Sequence, residues 1–295
     1  MRRLAVAAVA LSAGACASDS PAPAASPPPI VATATAPIPP AGTSTFEIAG
    51  QLTQGGWVRG TAPAGTTSLS LDGAVIPVAP DRRFFVAFDR DAGPSAVLVA
   101  RLRDGRSERR ELAIAPRAWQ IERVDTPLHP PIPDADYQRI RAGELALIGA
   151  ARSKETGAQG WRQSFVWPVR ARISGRFGSQ RIYRGGVAGS YHSGLDIAGG
   201  GGTAFVAPAD GVVILAASSP FTLEGNLLMI DHGAGLNSAF LHCSELLVRE
   251  GESVRQGQVI GRIGMTGRAT GPHLHWSLKW RETRLDPLLF VPARD

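Results

Sequence analysis

Five side chains that can bind a metal ion or move protons are grouped in the last third of this 295-residue sequence. His192 and Asp196 stand four residues apart, His273 and His275 stand two residues apart, and His242 lies between the two pairs. A catalytic zinc ion takes three protein ligands of the His and carboxylate type and keeps a fourth position for water. His192, Asp196 and one of the later histidines supply that number. Two imidazoles are then left for acid–base chemistry.

His273 and His275 stand in a segment whose pattern predicts an extended strand. Alternate residues of a strand point to the same face, so both imidazoles can reach one cavity while Leu274 packs behind them. An H-x-H pair alone is a weak metal signal, and the prediction therefore depends on all five positions together. We interpret the other two histidines, His129 and His232, as surface or hydrogen-bonded core residues.

The first residues have the pattern of a secretory signal. Two arginines precede a short apolar run that ends in small residues, which predicts a signal peptide over residues 1–17 and an exported, periplasmic or cell-envelope protein. The segment that ends at Cys16 resembles a bacterial lipoprotein processing site, although Ala13 stands where leucine is usual. Two outcomes stay open: cleavage before a lipidated Cys16 that anchors the chain to a membrane, or cleavage after Ala17.

Composition excludes some classes of protein. The formal charge of +6 comes mostly from scattered arginines, and no basic run with interleaved aromatic residues favours nucleic acid as a partner. The only cysteines are Cys16 and Cys243, so lipidation of Cys16 would leave no internal disulfide. We interpret Cys243, although it follows His242, as a small buried hydrophobic residue rather than a nucleophile.

The chain divides into segments of different pattern, and the fold class is predicted to be mostly β. Residues 18–44 are rich in Pro and Ala and predict a disordered tether. Residues 45–128 predict a small antiparallel β-sandwich, because short alternating runs are separated by Asp72-Gly73 and Asp104-Gly105, a strong hairpin signal.

A connecting helix is predicted over residues 134–157, after a cluster of prolines. Asp134 stands at the N-cap position, the helix would end near Gly157, and it would have only packing duties. Its apolar residues are Tyr137, Ile140, Leu145, Ile148 and Ala151. Residues 160–295 are rich in short strands and glycine turns and predict a compact all-β domain.

Motifs in residues 165–290 resemble those of the lysostaphin-like or LytM-domain zinc metalloendopeptidases, which cut peptide bonds in bacterial peptidoglycan. The matching motifs are Ile173-Ser174-Gly175-Arg176-Phe177-Gly178 with Arg181, His192-Ser193-Gly194-Leu195-Asp196, Gly264-Met265-Thr266-Gly267 and Thr270-Gly271-Pro272-His273-Leu274-His275.

This resemblance implies roles for the five side chains. His192, Asp196 and His275 would bind Zn²⁺, and His242 and His273 would flank the bound water and the substrate carbonyl. Phe240 and Cys243 stand where the family commonly has Tyr and Leu, and neither position is a ligand or a base. The function implied is hydrolysis of peptidoglycan peptide cross-links in cell-wall remodelling.

Two other functions remain open. Some LytM-like domains have lost catalytic residues and act as binding modules that activate cell-wall amidases, and these usually lack one or more ligands. A zinc-stabilised structural domain is disfavoured, because structural sites close all four positions and favour cysteine. A regulatory envelope protein is a further expected partner, and the sequence does not specify which cross-link bond is cut.

Overall fold

The computed structural model describes residues 45–127 and 135–294, which belong to one compact unit, Ala41–Asp295. The predicted signal peptide and tether, Cys16, His129 and the N-cap at Asp134 lie outside the described residues. No helix within the described ranges is both long and apolar enough to cross a membrane. The prediction of a mostly β fold with one helix is confirmed.

Seven strands of the N-terminal half form two antiparallel sheets. They are β1 (Glu47–Gly50), β2 (Trp57–Thr61), β3 (Thr66–Leu71), β4 (Ala74–Ile76), β5 (Arg83–Ala87), β6 (Ser95–Leu102) and β7 (Ser107–Ala113). One sheet has the order β1-β2-β5 and the other the order β4-β3-β6-β7. Every second side chain of β6 is buried, because alternation along a strand sends one face of the sheet to the core.

Both predicted hairpins are present. Asp72 and Gly73 connect β3 to β4 with φ angles of 49° and 83°, the left-handed geometry of the turn that Asp-Gly favours. Asp104 and Gly105 lie in the turn between β6 and β7. Two further elements follow, β8 (Ile121–Arg123) and the helix α1 (Ala135–Arg152).

Twelve strands of the C-terminal half follow α1. They are β9 (Arg172–Gly175), β10 (Gln180–Tyr183), β11 (Val187–Ala188), β12 (Leu195–Ala198), β13 (Ala204–Val206), β14 (Gly211–Phe221), β15 (Gly225–Gly233), β16 (Leu236–Leu246), β17 (Ser253–Val254), β18 (Val259–Ile263), β19 (Leu274–Trp280) and β20 (Thr283–Leu285). The main path of the large sheet is β17-β14-β15-β16-β19-β12-β9, and β13, β18 and β20 pair beside it. Short 3₁₀ turns span Gly160–Arg162, Arg184–Gly186 and Pro287–Leu289.

The two halves share one hydrophobic core. Phe290, near the end of the chain, contacts Trp57 and Phe165 with ring centroids 5.2 and 5.3 Å apart. The indole nitrogen of Trp57 donates to the carbonyl of Leu289 at 3.0 Å. The strand β8 adds to the β10–β11 hairpin by parallel pairing with β10. The N-terminal half therefore contributes directly to the packing and strand pairing of the C-terminal half.

The helix α1 differs from its prediction in two ways. It ends at Arg152 rather than near Gly157, because Thr156 turns away to donate from its backbone and its hydroxyl to Asp231 of β15. Ile148 and Ala151 are buried as an apolar face requires, but Ile140 and Leu145 are half exposed. Glu144 takes the buried position beside them, since its carboxylate is hydrogen-bonded to the segment that joins β14 to β15.

Candidate metal centre and cleft

Three of the five side chains singled out in the sequence bring their donor atoms together. His192 lies just before β12, Asp196 lies in β12, and His275 lies opposite Asp196 in the neighbouring strand β19. Asp196 Oδ1 is 3.1 Å from His192 Nε2 and 2.8 Å from His275 Nδ1, and the two nitrogens are 3.1 Å apart. Strand pairing thus brings residues 79 and 83 positions apart to one point.

This triad suits one small divalent cation. Donor atoms of a tetrahedral ion at about 2.0–2.2 Å are roughly 3.3–3.6 Å apart, so these three need to separate by only a few tenths of an ångström. The backbone carbonyl of Arg176 accepts from His192 Nδ1 at 3.1 Å. That bond places the proton on Nδ1 and leaves the Nε2 lone pair for a metal, as outer hydrogen bonds of histidine ligands commonly do.

The charges of the triad also favour a cation. Burial alone would raise the pKa of Asp196, but its close contacts with His192 and His275 and the charges that these rings carry when protonated outweigh burial and hold this pKa well below its usual range. Burial lowers the pKa of His275, and the bond to Asp196 only partly offsets this effect. For His192 burial is the largest single effect and lowers the pKa, but the bond to Asp196, the charge of Asp196 and the bond to the Arg176 carbonyl together exceed it, and the pKa is raised. The result is an ionised carboxylate between two imidazoles.

His242 lies beside the triad in an uncommon backbone conformation. Its φ of 64° falls in the left-handed region, which costs a non-glycine residue about 1–3 kcal/mol and often marks a functional position. Two contacts hold it there: its backbone N–H donates to the Glu224 carbonyl at 2.8 Å, and its Nδ1 lies 2.9 Å from the Thr266 carbonyl. Burial, with the neighbouring imidazoles, lowers its pKa, so the ring is neutral at neutral pH.

His273 completes the group. Its ring centroid is 4.8 Å from that of His242, and its Nε2 is 3.7 Å from Asp196 Oδ1. Its Nδ1 lies 2.8 Å from the Gly271 carbonyl, which again assigns the proton to Nδ1. Leu274 between the two histidines is fully buried, in keeping with the alternation expected of a strand.

Two glycines make the close approach of the ligands possible. A Cβ on Gly194 would lie 2.6 Å from His275 Nε2, and a Cβ on Gly175 would lie 2.4 Å from Asp196 Oδ2. Neither distance is open to a real methyl group, so both positions require glycine. The sequence motifs include both residues but do not reveal this reason for them.

The triad opens into a cleft of about 930 Å³ that is lined by His192 and Asp196. One wall comes from the N-terminal half, because Gln120 and Glu122 also line the cleft. Glu122 forms an ion pair at 2.6 Å with Arg181 of β10. Residues before α1 therefore form part of the cleft of the predicted compact peptidase domain.

The remaining histidine of the described region and the cysteine lie outside this group. His232 is fully buried and hydrogen-bonds the Asp210 carbonyl and the Ser238 hydroxyl, while burial lowers its pKa to about 4. Cys243 is also fully buried, and burial raises the pKa of its thiol to about 12. A thiol in that environment is a poor nucleophile at neutral pH.

Sequence reasoning missed the backbone carbonyls that orient the imidazoles, those of Arg176, Thr266 and Gly271. Every residue has a carbonyl, so no sequence signal could single these out. It predicted a packing role for α1, but no sequence signal indicated that residues of α1 line a pocket together with His275.

Comparison with known proteins assigns this region. Residues 190–287 match the description Peptidase family M23. This chain carries an M23 domain. The crystal structure of a putative M23 peptidase from Pseudomonas aeruginosa is similar over 81% of this chain and 95% of its own, with 26% identity and a TM-score of 0.61. The likeness in fold therefore extends beyond the M23 domain into the N-terminal half.

Two curated relatives with different named activities match part of this chain. Peptidoglycan DD-endopeptidase ShyA of Vibrio cholerae is 40% identical over 107 residues, which are 36% of this chain and 24% of that protein. Murein hydrolase activator NlpD of Salmonella dublin is 35% identical over 146 residues, which are 49% of this chain and 35% of that protein. The matched part of this chain spans only about a quarter to a third of each relative.

Proposed function

We propose that this protein is a zinc-dependent endopeptidase that hydrolyses peptide cross-links of bacterial peptidoglycan. The observation that carries the proposal is the complete five-residue group: His192, Asp196 and His275 with donor atoms 2.8–3.1 Å apart, and His242 and His273 beside them. The M23 match and the likeness to ShyA support the reaction and the substrate class.

His192 Nε2, Asp196 Oδ1 and His275 Nδ1 would hold the zinc ion. A zinc ion held there would supply a Lewis acid, which would polarise the scissile carbonyl and make water acidic enough to react near neutral pH. A set of three protein ligands would leave room for water and substrate, as in other catalytic zinc sites. With Asp196 ionised, the triad would balance one of the two positive charges of the ion.

His242 and His273 would supply the acid–base chemistry. Both use Nδ1–H to donate to a carbonyl, of Thr266 and Gly271 respectively, so the Nε2 of a neutral ring carries a lone pair. A neutral imidazole can accept the proton of the attacking water and later return it to the leaving amine. Between them, the two rings can also stabilise the tetrahedral oxyanion when one is protonated.

A second candidate is a catalytically silent LytM-type module that activates a cell-wall amidase. The likeness to NlpD favours it, because the match to that activator is longer than the match to ShyA. The complete metal triad and both flanking imidazoles favour the enzyme. Both functions require a protein of the cell envelope, and we propose that the chain is exported to the periplasm and anchored to a membrane through a lipidated Cys16. Its proposed partners are peptidoglycan and a regulatory envelope protein.

The test uses the mature full chain, because Gln120 and Glu122 of the N-terminal half line the cleft. Zinc-loaded and chelator-stripped protein are incubated with isolated sacculi, and the released fragments are identified by mass spectrometry. We expect zinc-dependent cleavage of a cross-link, and loss of that cleavage in His242→Ala with zinc still bound. No release by folded, zinc-bound protein that nonetheless stimulates a purified amidase would establish the second function instead.

A further inference from the structure

A second, smaller pocket borders the metal triad on the side of α1. It has a volume of about 200 Å³ and lies between α1 and the face of the large sheet that carries His275. Arg152 and Ile148 of the helix and Leu241 and Ser277 of the sheet are among the residues that line it with His275. This pocket is roofed by the helix, while the cleft of about 930 Å³ borders His192 and Asp196.

The roof is held by a network of charges. Arg141 of α1 donates to both carboxylate oxygens of Glu224, at 2.6 and 2.8 Å. The same guanidinium donates to Glu144 at 2.9 Å, and Glu144 accepts from the backbone and the hydroxyl of Thr222. These side chains are largely buried, so the helix is fixed to the segment that leads into β15.

The pocket is lined by more cations than acids. Its ionisable residues, besides His275, are Arg141, Arg152, Glu224, Lys279 and Arg284. Glu224 is the partner of Arg141, and Lys279 donates to Glu282 at 2.6 Å. The guanidinium of Arg284 stands 5.4 Å from the ring centroid of Tyr191. The four lining cations outnumber the single lining acid, so the lining of this pocket carries net positive charge.

Two lining cations, Arg152 and Arg284, make no ion pair within 4.0 Å among the described residues. Arg284 lies over the ring of Tyr191, whereas the Nε of Arg152 is buried with no hydrogen-bond partner. The more distant charges of Glu282, Arg284 and Glu224 act on it, but burial dominates and lowers its pKa. A buried guanidinium donor without an acceptor is costly, and a carboxylate satisfies it in the two-pronged geometry that arginine favours.

We propose that this pocket binds a free carboxylate of the substrate peptide and that Arg152 recognises it. The inference rests on the proposed function and adds a substrate feature to it. A cavity of this volume is about 7 Å across, which is roughly two residues of extended chain at 3.3–3.6 Å each. The recognised carboxylate therefore lies within about two residues of the scissile bond. Arg152 is a specificity residue and takes no part in bond breaking.

The probe is a soluble cross-linked muropeptide dimer, used in its native form and after conversion of its carboxylates to amides. Equilibrium binding is measured in a His242→Ala background, which separates recognition from turnover. We expect the native dimer to bind at least tenfold more tightly than the amidated one, the range of a charge-assisted hydrogen bond. In Arg152→Gln that ratio should fall to about one or two, and in Arg152→Lys to an intermediate value, because lysine keeps the charge without the fork.

The matched control is Arg139→Gln on the same helix, which removes an exposed arginine paired with Asp136. It should keep the tenfold ratio. In proteins with His242 intact, Arg152→Gln should raise KM and leave kcat within about twofold, because the carboxylate contact is made equally in the ground and transition states. Thermal unfolding of each variant verifies that it is folded.

Equal binding of native and amidated dimers by the unsubstituted pocket would overturn the inference, as would a ratio that survives in folded Arg152→Gln and Arg152→Lys. Discrimination by Arg152 in a protein that cleaves nothing would uphold the pocket and refute the endopeptidase. Zinc-dependent cleavage without discrimination would uphold the endopeptidase and refute the carboxylate pocket, so the two proposals can fail independently.

Discussion

Substitution of Glu144 by Gln should release α1 from the large sheet. Glu144 is 7% exposed, and its carboxylate accepts three hydrogen bonds, from Thr222 N at 2.6 Å, Thr222 Oγ1 at 2.7 Å and Arg141 Nη1 at 2.9 Å. Gln keeps one acceptor oxygen and turns an NH₂ towards a donor. A hydrogen bond to a charged group is worth about 1.5–3 kcal/mol, and Arg141 retains Glu224, so we expect docking of α1 to weaken by about 2–3 kcal/mol.

Native-state hydrogen exchange of the α1 amides measures this change directly, because a docked helix opens locally as well as globally. A loss of 2–3 kcal/mol corresponds to exchange about 30- to 150-fold faster, since each 1.4 kcal/mol is a factor of ten. Asp136→Asn is the control: its partner Arg139 and Asp136 itself are about three-quarters exposed, and such pairs contribute little. If α1 exchanges equally fast in both variants, the charge network does not hold the helix.

Three further predictions concern stability and the site. Folding lowers the pKa of His232 from 6.5 to about 4, so the unfolded chain binds more protons than the folded one between these pH values. The free energy of unfolding should therefore be about 3 kcal/mol smaller at pH 4 than above pH 6.5. Urea unfolding against pH, with the imidazole titration followed by NMR, checks this, and a His232 that titrates near 6.5 would refute it. Gly194→Ala should lose zinc affinity at least tenfold in equilibrium dialysis, because its Cβ would displace His275, whereas exposed Gly93→Ala, which meets no atom within 4 Å, should not. Phe290→Ala should destabilise the chain by about 3–5 kcal/mol, the range for a buried Phe, and a urea midpoint equal to that of the unsubstituted chain would show that the halves do not depend on this ring.

Local patterns were sufficient to predict the class of fold. Alternation in β6 and the Asp72-Gly73 turn follow from strand periodicity and from the φ angles that Asp-Gly tolerates. The pairing of β8 with β10 has no such local cause, because the paired residues are 59 positions apart and the strands pair in parallel, which requires a long crossover. The buried face of α1 was not predicted correctly at Glu144, because a buried acid interrupts the apolar periodicity by which a helix face is recognised.

The side chains of the candidate site could be predicted from the sequence, but the residues that surround them could not. The residue types and spacing of His192, Asp196 and the H-x-H pair suggest a metal triad, and the structure places their donor atoms together. Which residues roof and wall the cleft depends on tertiary packing. The contribution of β8 and the position of Arg152 are set by contacts between segments far apart in sequence, so no local pattern reports them.

The bond from Trp57 to the Leu289 carbonyl has a consequence for the order of events during synthesis. The two residues are 232 positions apart, and closing a loop of that length costs about 5 kcal/mol beyond the length-independent part. At about 5–20 residues per second, Trp57 waits roughly 12 to 46 seconds before Leu289 exists. We therefore expect the face of the N-terminal half that carries Trp57 to stay uncovered until Leu289 and Phe290 have been made.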